Sequence, residues 1–250
     1  MMEQIENFDS LNDFLSQMED NVSIISGNIP VEIQLQYYKF IEKLDKNLNK
    51  EEINERADML FTPEMDIEEK KKLLVQLASF DDVKFFRTIE KYNKQPDPEL
   101  KHWASMAYNH AKVNLENSFL PEKKILISTG LGGKGSKLRY FVVLLKDNQT
   151  SPFTETEKKV VKNEIDIVFK ENDVELETLE FNDNYLTLKM LLSLKVPVQS
   201  IFLQIISNCN ELGRFMSEHF IVTNVKELKH REIQDIIKKE NNKDNNPVTL

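Results

Sequence analysis

The apolar residues of this 250-residue chain change period near residue 120, and that change constrains the fold more than any other feature. Before it, they recur every three to four positions, the spacing of helices with one buried face. After it, they fall in short runs punctuated by turn residues and broken by three helical stretches, the spacing of mixed strand and helix. The expected class is therefore α+β, with a helical first half. The length suffices for one large domain or two modest ones, each with its own core.

In the first half, Ile33, Leu35, Tyr37, Tyr38, Phe40, Ile41 and Leu44 form one helical face after Pro30. Asp66 opens a second helix carrying Leu73, Leu74, Leu77 and Ala78. Asp81 or Asp82 caps a third that presents Val83, Phe86, Ile89 and Tyr92. The run Gln95-Pro96-Asp97-Pro98 then breaks the chain, with Asp97 as the expected N-cap and Pro98 at the first helical position, where proline is tolerated. The helix beyond carries Leu100, Trp103, Ala104, Ala107, Ala111 and Leu115.

The stretch from Phe80-Asp81-Asp82-Val83 through Pro96-Asp97-Pro98-Glu99-Leu100-Lys101-His102-Trp103-Ala104 is similar to a HEAT repeat. Taken with Ser128-Thr129-Gly130-Leu131-Gly132-Gly133-Lys134-Gly135, it resembles an uncharacterised bacterial family of HEAT-like repeat proteins. The resemblance spans most of residues 80–240 and implies paired antiparallel helices with a small-residue seam at Ala104, Ala107 and Ala111. It brings no activity. A short solenoid needs about three repeats or a capping domain to be stable, and the second half can supply that cap.

That second half reads β-β-α-β-β-α-β-α. Ile125–Ile127 and Tyr140–Leu145 are strands, and Thr154-Glu155-Thr156-Glu157 is a capping box that opens a helix. Val174–Phe181 and Tyr185–Leu194 form a hairpin, and Pro197 starts a helix ended by Gly213. Phe220–Val222 is a strand, and Asn224 is the expected cap of the last helix. Without the first strand and the last helix, the order is that of a ferredoxin-like domain; a different α+β sandwich with mixed pairing is the alternative. The expected organisation is a helical HEAT-like bundle or short solenoid over 1–120, a ferredoxin-like-type α+β domain over 121–240, and a disordered tail over 241–250.

Four of the six glycines fall in Gly130-Leu131-Gly132-Gly133-Lys134-Gly135, between two strands. Glycine is favoured where φ is positive or where another group approaches the backbone. Between Pro121 and Lys146 there are six basic residues and one acid, Glu122, a local net of +5. The total is −9, so the remainder of the chain carries −14. Consecutive amides beside lysines can hold an anion. Gly130, Gly132, Gly133, Lys134, Gly135, Ser136, Lys137 and Arg139 are accordingly the candidate anion- or partner-binding residues. The plain alternative is a hairpin tip whose lysines keep it soluble.

The lettering of the loop suggests nucleotide motifs that its setting rejects. Gly130-x-Gly132-x-x-Gly135 matches a dinucleotide fingerprint but leads into a strand, whereas that motif opens a helix. A Walker A loop fails on residue order, because Gly135 is followed by Ser136-Lys137. A kinase glycine loop lacks its partner motifs elsewhere in the chain. Arg139–Val143 lacks the glycine and the alternating aromatics of an RNA-binding strand.

Other chemistry is sparse. His102 and His110 stand eight residues apart, about 12 Å along a helix, and read as solvent-facing rather than as joint metal ligands. His219 and His230 have no ligand at metal spacing. Cys209 lies on the apolar face of its helix and reads as core, and the acidic pairs read as caps and solvated faces. No catalytic residue, cofactor or metal is expected. Phe8, Leu11, Phe14, Leu15 and Met18 form an amphipathic stretch that packs on the helical half or docks a partner.

Composition (40% apolar, 30% charged) is that of a globular chain. The acidic start, the single cysteine and the absence of any apolar run near 20 residues point to the cytoplasm. The expected function is a non-enzymatic adaptor or scaffold that binds another macromolecule, with a protein the expected partner and neither membrane nor DNA. The rival expectation is a domain that senses a phosphate ligand or contacts RNA through the basic loop.

Overall fold

A computed structural model describes residues 22–244, apart from Lys46, Glu122, Gln149 and Thr150. The amphipathic stretch Phe8–Met18 lies outside the described residues. The chain forms two compact units, Met1–Leu138 with Ser193–Lys195, and Arg139–Leu192 with Val196–Leu250. The boundary thus falls at Leu138 and not near 120. The reason is that the segment after the helices pairs with the first strand of its own unit.

The first unit runs β1 (Val22–Ile24), α1 (Val31–Glu42), α2 (Lys50–Arg56), a 3-10 turn (Ala57–Phe61), α3 (Ile67–Ala78), α4 (Val83–Lys94), a 3-10 turn (Pro98–Leu100), α5 (Lys101–Phe119), β2 (Ile125–Ile127) and β3 (Gly133–Lys134). Short polar side chains set the helix starts. Asn49 accepts from Glu51 N–H and Glu52 N–H, Asp66 from Glu69 N–H, and Asp82 from Lys84 N–H and Phe85 N–H. Asp82, and not Asp81, is the cap of α4. With that start, α4 buries Phe85, Ile89 and Tyr92 and leaves Val83 52% exposed. The buried face is therefore rotated from the one the sequence suggests.

Asp97 stands at the N-cap position with Pro98 first in the turn, as the sequence suggests, but its side chain makes no cap bond. Its carboxylate accepts hydrogen bonds from the buried Lys70 ammonium and from the Tyr92 hydroxyl, each at 2.7 Å. Only its backbone carbonyl serves the helix start, accepting from Leu100 N–H at 2.9 Å. The turn between α4 and α5 is thereby tied to α3. Leu73, Leu74 and Leu77 of α3 share one core with Phe85 and Ile89 of α4 and with Trp103, Ala104, Ala107 and Ala111 of α5. The alanines let α5 approach closely, and Trp103 donates its ring N–H to the Lys71 carbonyl at 3.1 Å.

The second unit holds β4 (Lys137–Lys146) from Arg139 onward, α6 (Glu155–Glu171), β5 (Glu175–Phe181), β6 (Tyr185–Ser193), α7 (Val198–Glu211), β7 (Met216–Thr223) and α8 (His230–Asp244). The strands lie in the order β7-β4-β6-β5. β4 and β7 are antiparallel, with Val142 opposite Val222, and β5 and β6 are antiparallel, with Leu179 opposite Leu188. Alternate residues of the two inner strands, Val142 and Leu144 with Leu186, Leu188 and Met190, share a core with Val161 and Ile165 of α6 and Ile201, Phe202 and Ile205 of α7.

The capping box stands as the sequence suggests. Thr154 N–H donates to Glu157 at 2.7 Å, and Glu157 N–H donates to the Thr154 hydroxyl at 3.2 Å. Asn224 does not cap the last helix, which begins six residues later. There Glu232 accepts from Lys229 N–H at 2.9 Å. The helix runs to Asp244, so residues 241–244 are helical where a disordered tail was expected, and 245–250 lie outside the described residues.

Candidate functional site

The glycine run is built against the N-terminal strand. β1 and β2 pair in parallel, with Val22 opposite Ile125 and Ile24 opposite Ile127. The ladder continues past the strand ends: Ile25 N–H donates to the Ile127 carbonyl at 2.9 Å, and Gly133 N–H donates to the Ile25 carbonyl at 3.0 Å. Between these bonds the chain turns at Thr129–Gly132, closed by Gly132 N–H donating to the Thr129 carbonyl at 3.1 Å.

Two of these glycines are required by space. Gly132 has φ +63°, and a Cβ there would lie 2.1 Å from the Gly27 carbonyl oxygen and 2.7 Å from that of Ile25. A Cβ at Gly133 would lie 2.2 Å from the Lys137 carbonyl oxygen and 2.6 Å from Cγ2 of Ile24. Real Cβ atoms do not approach so closely, so both positions exist to let strands of backbone touch.

Two buried polar side chains fix the surrounding segments. Gln34 on α1 donates through Nε2 to the carbonyls of Ile29 (2.7 Å) and Thr129 (3.0 Å), and its Oε1 accepts from the Ser128 hydroxyl. Asn109 on α5 accepts from Ser26 N–H and from the Ser26 hydroxyl, each at 3.4 Å, and donates to the Ser105 carbonyl at 2.8 Å. Neither residue was singled out from the sequence. The only available signal was a polar side chain at an otherwise apolar helical position.

The eight candidate residues therefore separate. Gly130, Gly132 and Gly133 are buried, and the amides of Gly132 and Gly133 are bonded within the chain. The amides of Gly132 and Gly133 are therefore not open to the expected cradle, and these two glycines brace the loop from within. Lys134, Gly135 and Ser136 form an exposed tip, and Lys137 is half-buried. Lys134 stands opposite Lys137 in a two-residue hairpin turn, with Gly135 at φ +64° and open space around its Cβ direction. Glycine at the first central position is what a II′ turn requires. Arg139 is not part of the tip, because its guanidinium grips Glu177 on β5 through two bonds of 2.6 and 2.7 Å. That grip, its hydrogen bonds foremost, holds the Glu177 carboxyl below the usual range.

The local charge of +5 is also partly spent. Lys124 pairs with Glu116 at 2.9 Å, Arg139 with Glu177, and Lys146 with Glu157 at 2.8 Å. Lys146 is buried and also donates to the Pro152 carbonyl at 2.9 Å. Burial raises the pKa of Glu157, but bonds from Lys146 and Thr154 outweigh it and hold the carboxyl below its ordinary value.

The remaining titratable groups serve the fold. His110 is not solvent-facing: its Nδ1 lies 3.2 Å from the hydroxyl of the fully buried Tyr37, and burial pushes the imidazole down to about 4. The Tyr185 hydroxyl lies 2.6 Å from His230 Nδ1, which joins the start of α8 to β6. Cys209 is buried in its apolar helix, and burial, with Glu164 as the lesser cause, pushes its thiol up to about 12. Among the described residues, no group of three or more His, Cys, Asp or Glu side chains is placed to hold a metal ion. No described helix is long and apolar enough to cross a membrane.

No family model and no curated protein matches the chain. Among solved structures, it is similar to a protein assigned as a transposase from Deinococcus radiodurans (16% identity, TM-score 0.38, 43% of this chain and 94% of that one). It is also similar to a REP-associated tyrosine transposase bound to a REP hairpin (12%, TM-score 0.32, 40% and 67%). A third is the C-terminal domain of the MgtC protein from Mycobacterium tuberculosis (15%, TM-score 0.28, 38% and 98%). At these TM-scores none of them carries a function to this chain.

Proposed function

We propose that this protein is a non-enzymatic adaptor that binds another macromolecule, a protein foremost, through its helices and the Lys134-Gly135-Ser136 tip. One observation carries the reading: an exposed basic tip stands on a base held by close backbone contacts and buried polar braces. A tip on a rigid base loses little conformational freedom on binding, which favours recognition. The buried seam of Ala104, Ala107 and Ala111 supports a HEAT-like packing of α3, α4 and α5. The strand order β7-β4-β6-β5 supports a ferredoxin-like arrangement in the second unit.

The test is affinity purification from cells at native levels, with wild type beside K134E/K137E. Specific partners recovered with wild type and lost with the variant belong to the tip; partners retained belong to the helices. Recovery of no specific partner at all sinks the adaptor reading. A second reading, a phosphate ligand or RNA held at the tip, rests on Lys134 and Lys137 rather than on glycine amides. It expects binding that weakens as salt rises and disappears in the same variant. Absence of any thermal shift with phosphate, nucleotides and RNA removes it.

A further inference from the structure

A cleft of about 370 Å³ opens in the first unit where the end of α1, the loop after it, α2 and α3 converge. Its volume is within the range of small-molecule sites. Phe40, Leu44 and Ile53 give it an apolar wall, while Arg56 and the pair Lys72 and Gln76 bring polar groups from two helices. Lys72 and Gln76 stand four residues apart on α3, so they share one face.

Two features distinguish this cleft from an ordinary surface fold. Three cations line it (Lys43, Arg56, Lys72) against two carboxylates (Asp45, Glu52), and among the described residues neither Arg56 nor Lys72 has an ion-pair partner. Glu52 and Arg56 are spaced as a helical ion pair but do not form one. Gln76 is only 8% exposed, between Val75 and Leu77, yet its buried Oε1 has no hydrogen-bond partner. That oxygen is an acceptor and stays a destabilising orphan; the atom through which Gln76 can meet an anion is its Nε2 N–H.

We propose that this cleft binds a small amphiphilic oxyanion, with its apolar body against Phe40, Leu44 and Ile53 and its head among Arg56, Lys72 and the carboxamide of Gln76. Arg56 offers a planar fork of donors suited to a carboxylate or phosphate, Lys72 a point charge, and Gln76 an amide N–H. This site is separate from the glycine hairpin, and its occupant does not depend on the adaptor reading.

The test uses the full-length, ¹⁵N-labelled protein titrated with sodium octanoate, with octylamine and inorganic phosphate as the other probes. Octanoate is expected to shift the amides of residues 40–56 and 72–76 saturably and to raise the Tm. R56Q/K72Q is expected to bind it at least about tenfold more weakly, with its own Tm unchanged because neither side chain has a partner to lose. Gln76→Leu is expected to raise the Tm of the free protein while weakening octanoate binding. Absence of saturable shifts in those residues, undiminished binding by R56Q/K72Q, or equal binding of octylamine overturns the proposal. Phosphate binding as tightly as octanoate overturns the apolar half of it.

Discussion

Gly132 and Gly27 meet backbone against backbone: a Cβ on Gly132 would stand 2.1 Å from the carbonyl oxygen of Gly27. Gly135, two residues past Gly133, shares the positive φ but has open space where a Cβ would go. The two positions therefore separate steric need from conformational preference. Gly135→Ala is expected to cost about 1–2 kcal/mol, the penalty of forcing an alanine to positive φ in this turn. Gly132→Ala adds a collision with two carbonyl oxygens and is expected to cost more than about 3 kcal/mol. Urea unfolding of the two variants checks the ranking, and equal losses would refute the close-approach account.

Asp97 ties the α4–α5 turn to α3 through Lys70 and Tyr92. The Lys70 ammonium, then the Tyr92 hydroxyl, hold its carboxyl below the usual range. The depressed value means that the contact stabilises the fold above the unfolded pKa of about 4 and that this contribution is lost as pH falls through the folded one. Asp97→Asn leaves a buried ammonium without its counter-charge. The expected loss is about 2 kcal/mol, below the ~3–5 kcal/mol of a fully buried pair, because the Asp97 side chain is 38% exposed. Tyr92→Phe, which removes only one bond to the same carboxylate, is expected to lose about 1 kcal/mol. Chemical denaturation at pH 7 distinguishes the two, and an unchanged Asp97→Asn would make the pair ornamental.

What the sequence made legible was local. The Thr154–Glu157 capping box, the hairpin around Asn182–Asn184 and the strand–loop–strand setting of the glycines all depend on residues within a few positions of one another. What it hid was non-local. Gln34 reaches Thr129 across 95 residues, Asn109 reaches Ser26 across 83, and Arg139 reaches Glu177 across 38. A polar side chain does not announce its distant partner, so the glycine amides read as vacant and the basic cluster as unpaired. The Asp97 carboxylate is hidden for the same reason: its N-cap position is local and legible, but Lys70 lies 27 residues away and wins the carboxylate.

The Cys209 thiol, buried and pushed up to about 12, has almost no thiolate at neutral pH and no access to solvent. Thiol reagents react with the thiolate, so labelling of the native protein at pH 8 is expected to be at least about a thousandfold slower than in denaturant, with its rate set by opening of the second unit. Disulfide-exchange absorbance with and without urea measures both rates. Fast labelling of the native protein would place Cys209 at an accessible, activated position and contradict its role as core.

His110 gives the protein a distinct acid sensitivity. Its imidazole is held neutral to about pH 4 by burial, and its Nδ1 shares a hydrogen bond of 3.2 Å with the Tyr37 hydroxyl, which burial keeps protonated far above its usual range. An unfolded histidine titrates near 6.5. Between those two values the unfolded chain binds a proton that the folded chain refuses, so stability falls as pH drops from about 6.5 toward 4. At about 1.4 kcal/mol per pH unit, the loss approaches about 3 kcal/mol across the window. His110→Gln retains a partner for Tyr37 but cannot titrate, so its stability profile is expected to be flatter than that of wild type over this window and parallel to it above pH 7. Carboxylates such as Asp97 and Glu157 titrate in both proteins and cancel in the difference. Unfolding free energies measured at half-unit steps from pH 8 to 4 decide the point, and two parallel profiles throughout would rule out His110 as the source.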